Sequence, residues 1–193
     1  MIRQALIALV LLLTTAAVAS TPHAEWTRAA LARVPVSKHD RTEDRAATHA
    51  ANLDAFAVEI ARVSASAPLP PRQWASLLAA VGSIESNYDT DIVAGRCPAW
   101  ACDHGRAKGA FQNQNVGPVA DLWPKADGDI AVQVAMADRM MRRTWRGCKA
   151  QGVPFPAGAF RSYAGRSCSW PVHREAERVA TYLRLMATPK VSR

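Results

Sequence analysis

The chain has 193 residues, of which 49% are hydrophobic and 21% charged, and its formal net charge is +8. This composition is that of a soluble globular protein, long enough for one core or for one core with an appendage. The positive charge predicts attraction to polyanions such as nucleic acid, anionic lipid or an acidic wall polymer. No segment interleaves basic with aromatic residues as nucleic-acid-binding modules do, so nucleic acid is not an expected partner.

The first nineteen residues predict an export signal. One early arginine is followed by an apolar run from Ala5 to Leu13 and by the small-residue triplet Ala17-Val18-Ala19. The run is too short to span a bilayer of about 30 Å as a helix. We therefore expect cleavage after residue 19, a mature chain that is periplasmic or secreted, and no stable membrane anchor after cleavage.

Helical periodicity dominates the rest of the chain, and no run alternates as a strand does. The fold class predicted is mainly α, a helical domain with a long disulfide-stapled loop. An N-terminal helical segment and linker at 20–68 precede this domain at 69–188, and a tail covers 189–193. The helices are predicted at 25–34, 42–63, 71–86, 129–145, 157–165 and 171–186, with a linker at 35–40 and a loop at 87–125.

Four cysteines in an exported chain predict disulfides. Neighbour pairing closes the short loops, so Cys97 is expected to join Cys102 and Cys148 to join Cys168. A zinc site would combine these cysteines with Asp103 and His104. The chain lacks the Cys-x-x-Cys spacing of such sites, so we expect neither a metal nor another cofactor.

A glutamate interrupts the apolar face of the helix that starts near Pro71. Trp74, Leu78, Val81, Glu85 and Tyr88 follow one another at intervals of four, three, four and three residues, which places them on one stripe. Burial of a carboxylate favours its neutral form, and a neutral glutamic acid is what general acid catalysis needs. The alternative is that the helix ends early and leaves Glu85 solvated or paired with an arginine.

Three short segments of the chain stand out by their residues and their order. They contain Glu85, Ser86 and Tyr88, then Ala107, Gly109 and Gln112, then Tyr163 and loosely Gly165. In this order they resemble three motifs of the soluble lytic transglycosylase catalytic domain, a lysozyme-like family that cleaves peptidoglycan. The first motif is a helix ending in Glu-Ser with an aromatic shortly after it, the second is Gly-Ala-x-Gly-Leu-x-Gln, and the third is of the Ala-Tyr-Asn-x-Gly type. The resemblance implies a lysozyme-like helical fold for the domain at 69–188.

The chain departs from these motifs at three positions. Arg106 replaces the leading glycine of the second motif, and Ala110 replaces its leucine. Ala164 stands where the third motif has asparagine, so any orienting hydrogen bond from that side chain is missing. These changes bear on glycan subsite preference more than on the role of the acid.

The resemblance implies one catalytic residue, Glu85, which protonates the leaving oxygen and then helps the muramic acid 6-hydroxyl close an anhydro ring. It also implies substrate binding by four residues, which are Ser86, Tyr88, Gln112 and Tyr163. Asp89 and Asp91 are the alternative second carboxylate, although loop acids are more often capping residues. Phe111 and Trp100 are candidates for stacking on glycan, with core packing the alternative for Phe111.

The expected function is cleavage of the MurNAc-GlcNAc β-1,4 bond by an exported lytic transglycosylase whose partner is the peptidoglycan glycan strand. The alternatives are a hydrolytic muramidase on the same fold and a non-catalytic glycan-binding or secretion-apparatus protein. We further expect Glu85→Gln to keep or raise stability, on the assumption that the partly buried carboxylate has no partner.

Overall fold

A computed structural model describes residues 21–37, 40, 43–97, 102–165, 167–169 and 174–189. The expected export signal at 1–19 and Trp100 lie outside these residues. Within them the chain forms seven α-helices and one two-stranded hairpin. The elements are α1 (Pro22–Leu31), α2 (Glu43–Ser64), α3 (Pro71–Glu85), α4 (Thr90–Val93), β1 (Ala107–Lys108), β2 (Asn113–Gln114), α5 (Ile130–Ala150), α6 (Ala157–Gly165) and α7 (Glu175–Met186).

The helix ends follow local signals in the sequence. The Thr21 hydroxyl accepts a hydrogen bond from the backbone of α1, and Asp129 does the same for α5. Pro71 occupies the first turn of α3, where its missing N–H is no loss. The predicted boundaries of α2, α3 and α6 are confirmed to within one residue. Helix α5 runs five residues further than predicted.

Helix α3 is buried on all sides and forms the centre of the molecule. It contacts α1, α2, α5 and α7. The side chains of Trp74, Leu77, Leu78 and Val81 are inaccessible to solvent. The only polar atom of the Trp74 ring, Nε1, donates to Asp138 Oδ1 on α5 at 2.7 Å. Because α3 is enclosed, its C-terminal end is held rigidly in place.

The N-terminal segment belongs to this same core. Trp26 and Leu31 from α1 and Phe56 and Ile60 from α2 lie in one cluster with the side chains of α3. One hydrophobic core therefore spans both sides of the predicted boundary at residue 68.

The segment predicted as a linker, 35–40, connects α1 to α2, and its described residues are held by buried contacts. Ser37 Oγ donates to Asp89 Oδ2 at 2.8 Å. Asp40 is fully buried and accepts hydrogen bonds from the Thr90 backbone N–H at 3.0 Å and hydroxyl at 2.6 Å. The segment is thus fastened to the start of α4 by buried polar contacts, which composition alone does not reveal.

The predicted loop at 87–125 contains structure of its own. Strands β1 and β2 pair antiparallel, with Ala107 opposite Gln114 and Lys108 opposite Asn113. Two-residue strands are too short to show the alternation that predicts a strand. The remainder includes α4 and 3₁₀ turns at Asp103–Gly105, Gly117–Val119 and Trp123–Lys125.

Both predicted disulfides are confirmed, Cys97 to Cys102 and Cys148 to Cys168. All four cysteines are therefore engaged, which leaves no thiolate for the alternative zinc site. None of the helices in the described part of the chain is both long and apolar enough to cross a membrane.

Candidate active site

Glu85 is the last residue of α3, and its side chain is 22% exposed. Its Oε1 accepts a hydrogen bond of 2.5 Å from Arg178 Nη2 on α7. Arg178 is buried, with 6% of its side chain exposed. The expectation of a carboxylate without a partner is therefore wrong. The helix does extend to Glu85, and the residue is paired with an arginine.

A second arginine, immediately before α7, caps the same end of α3. Arg174 Nη1 donates to the carbonyl of Ile84 at 3.0 Å. The carbonyls in the last turn of a helix lack partners within the helix, and positive charge is favourable there. Arg174 and Arg178, four residues apart on one helix face, thus hold both the backbone and the carboxylate at the end of α3.

Sequence reasoning missed Arg178. A signal was nonetheless present, because Arg178, Tyr182 and Leu185 are spaced as the buried stripe of an amphipathic helix. An arginine on one buried stripe and a glutamate on another are natural partners, since a buried charge needs a counter-charge.

Ser86 joins the helix end to the hairpin. Its hydroxyl donates to the carbonyl of Ala110 at 2.8 Å and accepts from the backbone N–H of Tyr88 at 3.0 Å. Its Oγ also lies 3.3 Å from the carbonyl of Gly82. The bond to Ala110 joins the second motif to the residue that follows Glu85. Ser86 is a positioning residue in this structure.

Tyr88 does not present a surface to substrate. Its side chain is fully buried, burial raises the pKa of its hydroxyl, and its ring packs against Phe56 and Phe111 at centroid distances of 4.8 and 6.1 Å. A Cβ on Gly82 would lie 2.4 Å from the Tyr88 ring, so the glycine makes room for it. The expected substrate-binding role of Tyr88 is replaced by core packing. Phe111, also fully buried, is a core residue too.

The turn between the strands is built around Gln133, which sequence reasoning also missed. Gln133 is fully buried; its Oε1 accepts from Ala110 N at 2.9 Å, and its Nε2 donates to the carbonyls of Val93 and Ala126, both at 2.8 Å. Gly109 has a φ of +66°, and a Cβ there would lie 2.5 Å from the Gln133 side chain. The glycine of the second motif is thus required by this contact.

Gln112 points along the turn rather than toward the acid. Its Nε2 donates to the carbonyl of Gly109 at 3.0 Å and lies 3.4 Å from Cys102 Sγ. Among the described residues, no hydrogen bond links Gln112 to Glu85. The structure therefore connects Gln112 to the disulfide loop, and a direct role with substrate stays a prediction.

Tyr163 connects the third motif to the same turn. Its hydroxyl lies 3.0 Å from the carbonyl of Phe111 and 3.1 Å from Asn113 Oδ1, either of which accepts its proton. Burial raises the pKa of Tyr163, and the negative charge of Glu85 raises it further. The Tyr163 hydroxyl is thus close enough to Glu85 for the carboxylate charge to change its pKa.

Asn113 is a further residue that sequence reasoning missed. It is 4% exposed, and its Nδ2 has no hydrogen-bond partner among the described residues. A buried amide donor without a partner is costly, and such groups are often explained by function or by water. Asn113 supplies a carboxamide beside Tyr163, whereas the third motif itself has Ala164.

The two alternative carboxylates are both engaged elsewhere. Asp89 caps α4 by accepting from the backbone N–H groups of Asp91 and Ile92. Asp91 forms ion pairs with Arg45 and with Arg96, and the hydrogen bond from Arg45 lowers the pKa of Asp91. Among the described residues no hydrogen bond joins either carboxylate to Glu85, and the structure supports the capping interpretation for Asp89.

No cluster of three or more metal-binding side chains occurs in the described part of the chain. His104 is exposed in a 3₁₀ turn with a φ of +55°. Comparisons with protein families, with curated proteins and with solved structures find no match to this chain.

Proposed function

We propose that this protein is an exported lytic transglycosylase that cleaves the MurNAc-GlcNAc β-1,4 bond of peptidoglycan with Glu85 as its catalytic acid. The observation that carries the proposal is the convergence of three segments distant in sequence. The Ser86 hydroxyl ties the end of α3 to the hairpin turn, and the Tyr163 hydroxyl ties α6 to the same turn within reach of the charge on Glu85.

The chemistry requires one group that acts twice. In its protonated form Glu85 donates a proton to the glycosidic oxygen as the bond to C1 of the muramic acid breaks. The resulting carboxylate then accepts the proton of the 6-hydroxyl while that oxygen bonds to C1. The product is a 1,6-anhydro sugar, no water is consumed, and Glu85 is protonated again.

Arg178 is the partner of Glu85 when Glu85 is ionised during this cycle. A positive charge at hydrogen-bond distance stabilises an ionised carboxylate. In the proposed mechanism the ion pair orients the carboxylate that forms after bond cleavage. The first step needs a proton on Glu85, so the pair must loosen as the glycan enters.

A single acid is favoured over a pair of carboxylates. Glycosidases that use water usually place a second carboxylate across the bond. The nearest candidates, Asp89 and Asp91, are held by backbone N–H groups and by arginines. This argues against the hydrolytic muramidase, which otherwise shares every feature of the site.

The products of digestion test the proposal. Purified peptidoglycan is incubated with the wild type and with Glu85→Gln, and the released muropeptides are analysed by mass spectrometry. We expect 1,6-anhydromuramoyl ends, one water lighter than reducing ends, from the wild type and none from the variant. Glu59→Gln, on α2 and paired there with Arg62, is the matched control and should retain full activity.

Two other outcomes lead to different conclusions. Reducing-end muramic acid alone would identify a hydrolase. The Glu85 to Arg178 ion pair also favours a second candidate, a non-catalytic glycan-binding protein in which this pair is purely structural. That candidate predicts no cleavage by the wild type and glycan binding that Glu85→Gln leaves unchanged.

A further inference from the structure

An open groove of about 480 Å³ runs along α7 beside the last turn of α3. Its volume falls within the range of roughly 300–1,000 Å³ that is usual for small-ligand sites. Its walls combine small apolar surfaces with polar side chains. The lining residues are Pro35, Ser83, Ile84, Asn87, Arg174, Glu177, Ala180, Thr181 and Arg184.

Two polar groups in the groove have no protein partner among the described residues. Arg184 is exposed and forms neither a hydrogen bond nor an ion pair with any of them. The exposed Asn87 carboxamide is likewise without a hydrogen bond in the described part of the chain. By contrast, Arg174 is paired with Glu177 at 2.5 and 2.6 Å. The groove therefore offers one uncompensated positive charge and one amide.

The groove adjoins the candidate active site. Ser83, Ile84 and Asn87 flank Glu85 in the chain, and Arg174 binds the Ile84 carbonyl at 3.0 Å. The hydrogen bond to Glu177 raises the pKa of Arg174, and the negative charge of Glu85 raises it further. A substrate held at Glu85 thus has the groove within reach.

We propose that this groove binds a short acidic peptide, the stem peptide attached to the muramic acid of peptidoglycan, with a peptide carboxylate on Arg184 and a peptide backbone amide on Asn87. The proposal rests on the function proposed above. A carboxylate and a guanidinium form a strong charge-assisted hydrogen bond. The small apolar surfaces of Pro35 and Ala180 suit short side chains such as alanine. A phosphate would need several converging donors, and Arg184 is the only unpaired guanidinium in the lining.

The test compares two substrates. One is intact peptidoglycan, and the other is the same material stripped of its stem peptides by an amidase. Loss of one charge-assisted contact should lower kcat/KM of Arg184→Glu by about fivefold to tenfold on the intact substrate. Activity on the naked glycan should not change. Arg184→Gln, which removes the charge without reversing it, should show a smaller loss of the same selectivity.

Arg146→Glu is the matched control. Arg146 is exposed on α5 and does not line the groove, and within the described part of the chain its side chain bonds only to the carbonyl of Arg142. Its replacement changes the net charge equally. It should leave the ratio of activities on the two substrates as in the wild type. If Arg184→Glu also leaves that ratio unchanged, the groove proposal is wrong while the cleavage function stands.

A binding measurement separates failure of the groove from failure of the proposed function. Stem peptides released by the amidase are titrated into the protein and followed by NMR. Shifts near Asn87 and Arg184 in the wild type, lost in Arg184→Glu, would support the groove even if neither substrate is cleaved. An absence of shifts in the wild type would overturn it.

Discussion

Replacement of Glu85 by glutamine should destabilise the protein, contrary to what the sequence suggested. The change removes the negative charge that faces Arg178, whose side chain is only 6% exposed. Removing one partner of a buried ion pair costs about 3–5 kcal/mol when nothing replaces it. Here the glutamine carbonyl can still accept from Arg178 Nη2, and Glu85 is itself 22% exposed, so part of the interaction survives.

The remaining loss is the difference between a charge-assisted and a neutral hydrogen bond, about 1–2 kcal/mol in the free energy of unfolding. For a chain of this size, each kcal/mol lowers the Tm by about 2–4 °C. We therefore expect Glu85→Gln to melt about 2–8 °C below the wild type.

Thermal unfolding followed by circular dichroism measures this difference. Glu177→Gln removes a carboxylate from a pair whose side chains are 42% and 51% exposed, and it should melt within about 2 °C of the wild type because exposed pairs contribute little. A double variant of Glu85→Gln and Arg178→Gln should cost less than the sum of the single changes, since neither charge is left alone. If Glu85→Gln melts at or above the wild-type temperature, the ion pair does not stabilise the fold and the reasoning fails.

Three further predictions concern the surroundings of the site. Gly109→Ala should lower the free energy of unfolding, measured by chemical denaturation, by at least about 1 kcal/mol. The reason is that a φ of +66° disfavours a side chain and that the new Cβ would overlap Gln133. Unchanged stability would contradict this contact. Tyr163→Phe should lower kcat for peptidoglycan without unfolding the protein. A variant with the wild-type kcat would show that the Tyr163 hydroxyl has no role in the reaction. Asp91 has a lowered pKa, so its ion pairs stabilise the folded state above about pH 4 and lose this effect as pH falls below that value. Asp91→Asn should accordingly have a lower Tm than the wild type at pH 7, and the difference should shrink toward pH 3. A difference that stays constant with pH would contradict the stabilising role of the Asp91 ion pairs.

The sequence predicted the candidate acid but not its setting. The spacing of apolar residues on α3 predicted that Glu85 lies at the end of a buried helix. The order of the three short motifs predicted which other segments lie near it. Its partner Arg178 lies 93 residues away. Periodicity reports only which face of a helix is buried, so it cannot show which buried faces meet.

What the sequence by itself determined is local. Helix boundaries follow from capping residues, prolines and a 3.6-residue period, and both disulfides join neighbours because short loops close at little entropic cost. The tertiary structure decided which polar groups have partners. In it Tyr88 is a buried core residue, and Gln133 binds the backbone of the hairpin turn. Arg184 has no counter-charge among the described residues. The physical reason is that burial and charge pairing depend on groups far apart in the chain, which become neighbours only when the helices pack.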